Sequence, residues 1–541
     1  MIEVPVVIVG GGPVGLTASL LLSQHGVRSI LVERHPGTAI LPKARGINAR
    51  TMEMYRQMGV DANIRAAGFP PEFGRLIVWT ETLAGKEINR IEPGRNAARN
   101  KGASPATNCG CAQDVFEPVI RRHAEEAAPG SLRFDTELTE VHEDDNGVTG
   151  VLTTRSTGEQ MPFRARYLIG ADGAQSRMRH AAGAQMIGER DVYDSINIHF
   201  RGDLTQWVTD RPAALYFVEQ PDLRATFLTI NGTDRWGFLV HSLKQYDYTP
   251  AHFTTERSIE IIRKAVGVVD LKVEILGVSA WTASAVVADR YRGGSIFLAG
   301  DAAHEMPPTG GFGLNTGVQD VHNLAWKLAA VLQDKADESL LDTYDKERRP
   351  QAERITQASL LNALSMGRTA RQSEAKLPRR EFLNEQGLIF GARYVSSAVI
   401  ADSVPPPETT DSVTEYTPSA YPGCRAPHVW LHRGGERLST VDLFGAHFVL
   451  LAGSHGAAWR DAAAAQSRVP VDVHVIGEDV LDNDHEWQTA YDVGDGGAVL
   501  VRPDGYVAWR TRGLPDNPGQ ALGAVIGHVL GRPVTATAMS H

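Results

Sequence analysis

A short β-rich run, Pro5 to Val9, opens the chain, followed by glycines and an apolar-periodic stretch from Val14 to Gln24. A second apolar run, Ser29 to Val32, ends at Glu33. This order predicts strand, turn, helix and strand, the opening βαβ unit of a doubly wound sheet. Pro13 suits the first helical turn and Gly26 the C-terminal stop. The texture changes from Asp191 to Val278, where Ile196–Phe200, Ala214–Val218, Thr226–Ile230 and Trp236–His241 read as strands separated by turn-rich segments. One helix, Thr255 to Val266, follows with Thr254 as its N-cap. This β-rich block interrupts the first fold rather than extending it. Ser295–Leu298 resumes a buried strand. A long helix comes next, from about Leu314 to Asp334, with Val318, Val321, Leu324, Ala325, Leu328 and Val331 on one face.

Residues 401–422 carry five prolines among Ser, Thr and Asp, which marks a linker. Beyond it, Val429–Leu431, His447–Leu451, Val471–Ile476, Ala498–Val501 and Val507–Arg510 predict strands of a separate α/β domain. A length of 541 residues is consistent with several domains, since single cores rarely grow past roughly 250–300 residues. The net charge of −10 argues against an extended nucleic-acid surface or an anionic membrane as partner. No apolar run approaches the ~18–20 residues that span a bilayer. Glu3 and the glycines interrupt any signal-peptide core. Cys109, Cys111 and Cys424 are the three cysteines, a reduced pattern that points to the cytoplasm. Cys109 and Cys111 form a lone C-x-C without a second ligand pair, so no metal is expected.

The candidate chemistry begins at Gly10-Gly11-Gly12-Pro13-Val14-Gly15. Gly10 permits the tight turn, Gly12 lets backbone approach a pyrophosphate, and Gly15 lets helix and strand pack closely. The following helix directs its N–H groups at the phosphates. Glu33, at the end of the second strand, can accept ribose hydroxyls. Taken alone, the turn serves NAD as well as FAD. Two later segments add to it. Tyr167 to Arg179 reads as a strand, then Gly170-Ala171-Asp172-Gly173, then Ser176 and Arg179. Gly300-Asp301-Ala302-Ala303-His304 comes off a buried strand and continues through Pro307-Pro308-Thr309-Gly310-Gly311-Phe312-Gly313-Leu314-Asn315. A carboxylate at such a strand end can bind ribityl hydroxyls, and the helix N-terminus near Leu314 favours the anionic reduced flavin.

With these three segments in order, the chain resembles the class A flavoprotein monooxygenases, the p-hydroxybenzoate hydroxylase type of single-component aromatic hydroxylase. The resemblance runs from Met1 to about Arg371 and includes Pro42-Lys43-Ala44-Arg45-Gly46 and Arg50-Thr51-Met52-Glu53. It implies an α/β architecture: a Rossmann-like FAD-binding fold, an inserted β-sheet substrate domain and a C-terminal thioredoxin-like domain. The last is suggested by Tyr421-Pro422-Gly423-Cys424-Arg425-Ala426-Pro427 and Val501-Arg502-Pro503-Asp504-Gly505-Tyr506, which look like phenol and polyketide hydroxylases of the dichlorophenol and aklavinone types. Cys424 has no C-x-x-C partner, so dithiol chemistry is not expected there. The implied division is residues 1–184 for the first part of the FAD domain, with 70–105 contributing to the substrate domain. Residues 185–280 form the substrate domain, 281–400 the second FAD part with a helical extension, 401–422 the linker, and 423–541 the last domain.

The same resemblance implies FAD as cofactor, NADPH or NADH as cosubstrate, and O2. Its FAD contacts fall on Gly10, Gly12, Pro13, Val14 and Gly15, on Glu33 and Arg34, and on Ala44, Arg45 and Gln113. Further contacts fall on Ala171, Asp172 and Gly173, on Gly300, Asp301 and Pro308, and on Gly311, Gly313, Leu314 and Asn315. It implies hydroxylation of a phenolic or polycyclic aromatic small molecule through a flavin C4a-hydroperoxide. Baeyer–Villiger-type insertion, oxidative rearrangement and a non-catalytic flavin scaffold stay open as alternatives. No acid or base is assigned; His304, Arg45, His241 and His199 are candidates by type and place only. Tyr216, Phe227, Trp236 and Phe238 are candidates to line the substrate pocket, although strand aromatics commonly pack a sheet core. Alternation puts Tyr216 and Phe217 on opposite faces. A monomer or homodimer is expected, with neither nucleic acid nor membrane as partner.

Overall fold

The structure is a computed structural model that describes residues 1–74, 76–92, 102–241, 243–365, 385–466 and 469–532. The end of the family resemblance near Arg371 lies outside the described residues. Four parallel strands build the N-terminal sheet: Ile296–Leu298, Gln160–Gly170, Ile2–Val9 and Ser29–Val32, in that order, with Leu132–Arg133 joined parallel at the far edge. Val6, Val7 and Ile8 are fully buried, as a central parallel strand covered on both faces requires. Pro13–Gln24 and the long helix Gly313–Leu332 pack together over one face. Among the described residues, no helix is long and apolar enough to cross a membrane.

The second sheet has eight strands in the order His304–Glu305, Glu274–Ala288, Met186–Arg201, Arg235–His241, Leu223–Thr229, Leu215–Gln220, Ile77–Thr80 and Glu87–Ile91. Two of its strands are longer than the sequence pattern shows. Met186–Arg201 starts well before Ile196 and pairs with Glu274–Ala288 along most of its length, with a register shift between Glu189 and Tyr193. Exposed Glu189, Arg190 and Asp191 hide the alternation in the first strand. The second strand is rich in Gly, Ser and Ala, which are weak strand formers.

One face of this sheet is covered by the helix Thr255–Val266, whose Ile261, Ile262, Ala265 and Val266 enter a shared core. Tyr216, Phe227, Trp236 and Phe238 all lie in that core with no solvent exposure. The four aromatics, candidates for either pocket or core, are therefore core residues. They sit at alternate positions facing the helix, and the stable choice for large rings there is mutual packing. Phe227 and Phe238 lie 4.6 Å apart, and Tyr216 and Trp236 6.4 Å. Phe217 takes the opposite face and stacks on Trp79 at 5.1 Å.

The C-terminal part holds a sheet in the order Val471–Val475, Phe448–Ala452, Ala498–Val501 and Val507–Thr511. The first pair is parallel and the other two antiparallel, with the helix Ala458–Ala464 between the first two strands in sequence and Pro518–Val529 after the last. That is the thioredoxin-like order.

Buried ion pairs join this unit to the N-terminal one. Arg425 grips both oxygens of Glu53, and Arg50 reaches Glu53 (2.9 Å) and the Asp504 carbonyl (3.1 Å). Arg502 donates to both oxygens of Glu347 at 2.6 and 2.8 Å and to both oxygens of Asp504. Lys327 and Asn323 on the long helix complete the cluster at Glu347, each at 2.7 Å. Every charge there has a partner, the condition for burying such groups.

Candidate active site

The three glycine-and-aspartate segments come off neighbouring parallel strands. Val9 lies opposite Gly170, and Gly170 opposite Leu298, so their carboxyl ends share one edge. Ala171 N donates to Val9 O at 2.8 Å, and Ala299 N to Gly170 O at 3.0 Å. In open α/β sheets the crevice beyond these ends is where ligands bind. Gly10 has a φ of 111°, and a Cβ there would stand 2.2 Å from Ala171 O. A Cβ on Gly15 would stand 1.9 Å from Gly10 O. Both positions must lack a side chain for turn, helix and second segment to close. Gly12 faces open space, with Glu117 Oε1 4.0 Å from where its Cβ would be.

Helix Pro13–Gln24 begins at Gly12 with no side-chain cap, and Pro13 and Val14 form its first turn. Its leading amides are thereby left for a ligand, an arrangement that suits a pyrophosphate. Gly313–Leu332 also starts without a side-chain cap. Two uncapped helix starts and three glycine-rich turns at one edge fit a dinucleotide with a second electron-rich group. Glu33 turns back on the first segment, accepting from Gly11 N (2.7 Å) and His35 N (2.9 Å), with exposed Arg34 beside it.

Asp172 caps the short helix Arg177–Ala181, accepting from Ser176 Oγ (2.5 Å), Arg177 N (2.8 Å) and Met178 N (3.2 Å). Buried Arg179 then ties the second segment to the third, donating to Ala174 O (2.8 Å) and Ala302 O (3.2 Å). Ala171 and Gly173 stay half-exposed beside them. Asp301 has an exposed side chain yet is ringed by the body of the protein. Desolvation pushes its carboxyl pKa up, against the pull of His304 and Lys43.

Two anchors hold the loop from residue 42 to 48. Ala44 N donates to Gln113 Oε1 (3.2 Å), and Gln113 Nε2 donates to Glu117 Oε1 (2.5 Å). Glu117 also accepts from Ala39 N (2.7 Å), and burial raises its carboxyl pKa. On the other side Asn315 donates to Gly311 O (2.7 Å) and Gly46 O (3.1 Å) and accepts from Asn48 N (2.9 Å). Asn48 in turn caps the helix Ala49–Gln57. Asn315 thus joins the loop to the segment bearing exposed Pro308 and Gly311 and half-buried Gly313 and Leu314. Arg45 bridges to the second sheet through Thr229 O (3.0 Å) and Ala214 O, with its guanidinium over Phe69. Burial lowers its pKa to about 10.

The side of the second sheet facing this loop carries Phe217, Leu228, Asn197, His199, Arg235 and Gly277, the last with Leu41 against it. Arg235 pairs with Asp114 and lies 3.4 Å from His199 Nε2. Burial, then Arg235, lowers the His199 pKa. His241 is held at both ring nitrogens, by Ser195 Oγ (3.1 Å) and Thr226 Oγ1 (3.0 Å). His304 is fully buried with Nε2 2.7 Å from Asp320. Both ring nitrogens of His241 are thus engaged, whereas His304 Nδ1 is buried without a hydrogen-bond partner among the described residues. Asn48, Glu117 and Asp320 are positions the sequence reading does not name. Glu117 was detectable, one turn beyond Gln113 on the same helix; Asp320 carries no local signal.

The family described as FAD binding domain matches residues 3–359, and that described as aromatic-ring hydroxylase, C-terminal, matches residues 419–533. The chain is 39% identical to 4-methyl-5-nitrocatechol 5-monooxygenase from Burkholderia sp, over 98% of each chain. It is 36% identical to aklavinone 12-hydroxylase from Streptomyces purpurascens, over 98% of this chain and 99% of the other. The crystal structure of aklavinone-11 hydroxylase with FAD and aklavinone superposes with a TM-score of 0.89 at 35% identity, covering 98% of this chain and 100% of that one.

Proposed function

This chain belongs to the FAD-dependent aromatic-ring hydroxylases, and on that footing we propose where its cofactor and substrate sit. It is a monooxygenase that consumes NAD(P)H and dioxygen to hydroxylate a phenolic or polycyclic aromatic compound. Bound FAD supplies the redox chemistry, accepting hydride from NAD(P)H and activating dioxygen, one atom of which enters the ring while the other leaves as water.

The observation that supports the placement is the meeting of three distant segments at three adjacent parallel strand ends. The first amides of Pro13–Gln24 receive the pyrophosphate, with Gly12 allowing its approach. Glu33 releases Gly11 to take ribose hydroxyls, and Arg34 stands beside it. Asp301 holds the ribityl chain, aided by Gln113 and Ala44. Pro308, Gly311, Gly313, Leu314 and Asn315 flank the pyrimidine end, where the uncapped helix favours negative charge. Substrate lies between this region and the sheet face carrying Phe217, Leu228 and Asn197. Arg45 fixes the distance between the two walls. His241, held at both ring nitrogens, is not free to take the phenol proton, and no acid or base is assigned to that step.

We place the substrate among fused polycyclic phenols, as for the aklavinone hydroxylases. We also place the chain in the cytoplasm as a monomer or homodimer; three free cysteines, two buried in the N-terminal unit and one half-buried beyond it, support the reducing compartment. The test is oxidation of NADPH or NADH by purified protein with FAD in air. A fused polycyclic phenol should stimulate it several-fold and gain one oxygen by mass, and nitrocatechol less so. No stimulation by any phenolic compound would refute the placement of a substrate pocket here.

A further inference from the structure

Asp320 is a fully buried carboxylate on the long helix with no place in the cofactor contacts above, yet three donors converge on it. Gly300 N donates to Oδ2 (3.2 Å), His304 Nε2 lies 2.7 Å from the same oxygen, and Arg348 Nε donates to Oδ1 (2.9 Å). Gly300 and His304 are the two ends of the turn that carries Asp301. Arg348 lies on the helix Asp342–Ser365 and is itself fully buried. Its Nη1 donates to Tyr394 Oη at 3.0 Å, and the Tyr394 ring stacks on Tyr506 with centroids 3.9 Å apart. Tyr506 belongs to the turn of the C-terminal domain that also carries Arg502 and Asp504. Glu347, the neighbour of Arg348, is the residue Arg502 grips. One dipeptide on one helix is therefore joined to the C-terminal turn through Arg502 and to the Asp301 turn through Asp320.

We propose that Asp320 is a positioning residue for the Gly300–His304 turn, and that the C-terminal domain sets how firmly it is held, through Tyr394 and Arg348. The proposal rests on the placement of FAD at Asp301. Groups that orient a binding residue act through hydrogen bonds of this kind, and charge-assisted bonds in a buried setting are the strong ones. Two donors from the two ends of the turn meet on one carboxylate, which Arg348 holds from the other side. Removing the Tyr394 oxygen frees one Arg348 donor and leaves the guanidinium held, among the described residues, only by Asp320 and by Thr316 O (3.2 Å), a looser seat on the long helix. The turn then loses part of its hold without losing any residue that touches the cofactor.

Full-length apoprotein tests this by amide hydrogen exchange over residues 298–305, alongside FAD dissociation constants. Asp320→Asn is expected to exchange about ten-fold faster there and to bind FAD about ten-fold more weakly, the effect of losing one charged hydrogen bond. Tyr394→Phe keeps the stack on Tyr506 and should move both readouts in the same direction, about three-fold; it carries the test if Asp320→Asn does not fold. Arg56→Gln removes a different inter-domain pair, with Asp442, and should move neither. Unchanged exchange in Tyr394→Phe, or an equal effect in Arg56→Gln, overturns the proposal. Faster exchange with unchanged FAD affinity instead overturns the placement of FAD at this turn, and the proposal with it.

Discussion

Glu53 and Arg425 meet in a two-pronged ion pair with both side chains buried, although they belong to different domains. Burial alone would raise the Glu53 pKa, but Arg425 and Arg50 outweigh it and hold it below 4.5. Glu347 behaves alike: Arg502 and Lys327 overcome desolvation and depress its pKa. A carboxylate depressed in the folded state contributes stability that is full above its unfolded pKa and lost as pH falls through the folded one. The domain junction should therefore hold steady from neutral pH down to about 4.5 and loosen below it. Amide exchange at residues 50–57 between pH 7 and 3 would show this, and protection that persists unchanged to pH 3 would contradict it. At neutral pH, Arg425→Met leaves Glu53 buried without its main partner, at a cost of about 3–5 kcal/mol by chemical denaturation.

Asp301 has the opposite sign. Its carboxyl pKa is raised in the folded chain, so its ionisation opposes folding once pH exceeds 3.8. Asp301→Asn should raise the apoprotein melting temperature only slightly at pH 7, its side chain being exposed, leave it unchanged at pH 3, and weaken FAD binding about ten-fold or more. A variant that loses apoprotein stability at pH 7 would show that the aspartate serves the fold and not the cofactor.

Gly10 and Gly12 separate two ways of losing a cofactor. Gly10→Ala drives a methyl into Ala171 O and should destabilise the apoprotein by about 1–3 kcal/mol as well as abolish FAD retention. Gly12→Ala meets nothing closer than 4.0 Å and should fold normally, with FAD affinity alone reduced. Thermal melts of both apoproteins decide the matter; equal destabilisation would place Gly12 in the core instead.

Phe227→Ala should cost about 3–5 kcal/mol of stability, since it removes a ring from between Phe200, Phe238 and the covering helix. Its KM for an aromatic substrate should stay within two-fold of the parent, about the scatter expected for a residue that never meets the ligand. A large change in KM in a folded variant would return Phe227 to the pocket.

Cys424→Ser should leave turnover and coupling intact. The thiol is half-buried, and desolvation pushes its pKa up to about 11, so almost none is thiolate at neutral pH. Loss of turnover in the folded variant would reveal redox work in the C-terminal domain.

The sequence carries the doubly wound start, the three glycine segments and the thioredoxin-like strands because each obeys a local rule: a period, a turn residue, a buried apolar run. Met186–Arg201 and Glu274–Ala288 escaped in part because their pairing is set by each other, not by propensity. Trp236 and Phe238 stay open between pocket and core in the sequence, because alternation says which residues share a face but not which face a helix will cover. Asp320 was silent for a similar reason, since its three partners come from residues 300, 304 and 348 and converge only in the folded chain.

Arg45 clasps the second sheet by the carbonyls of Ala214 and Thr229, and a carbonyl is the same whatever side chain its residue bears. Substitutions along the strands that carry Asn197, Phe217 and Leu228 can accumulate without loosening that clasp. Selection for new substrates then proceeds separately from selection for keeping the two walls in register. A combinatorial library at Asn197, Phe217 and Leu228 is accordingly a better starting point for altered ring preference than one that includes Arg45.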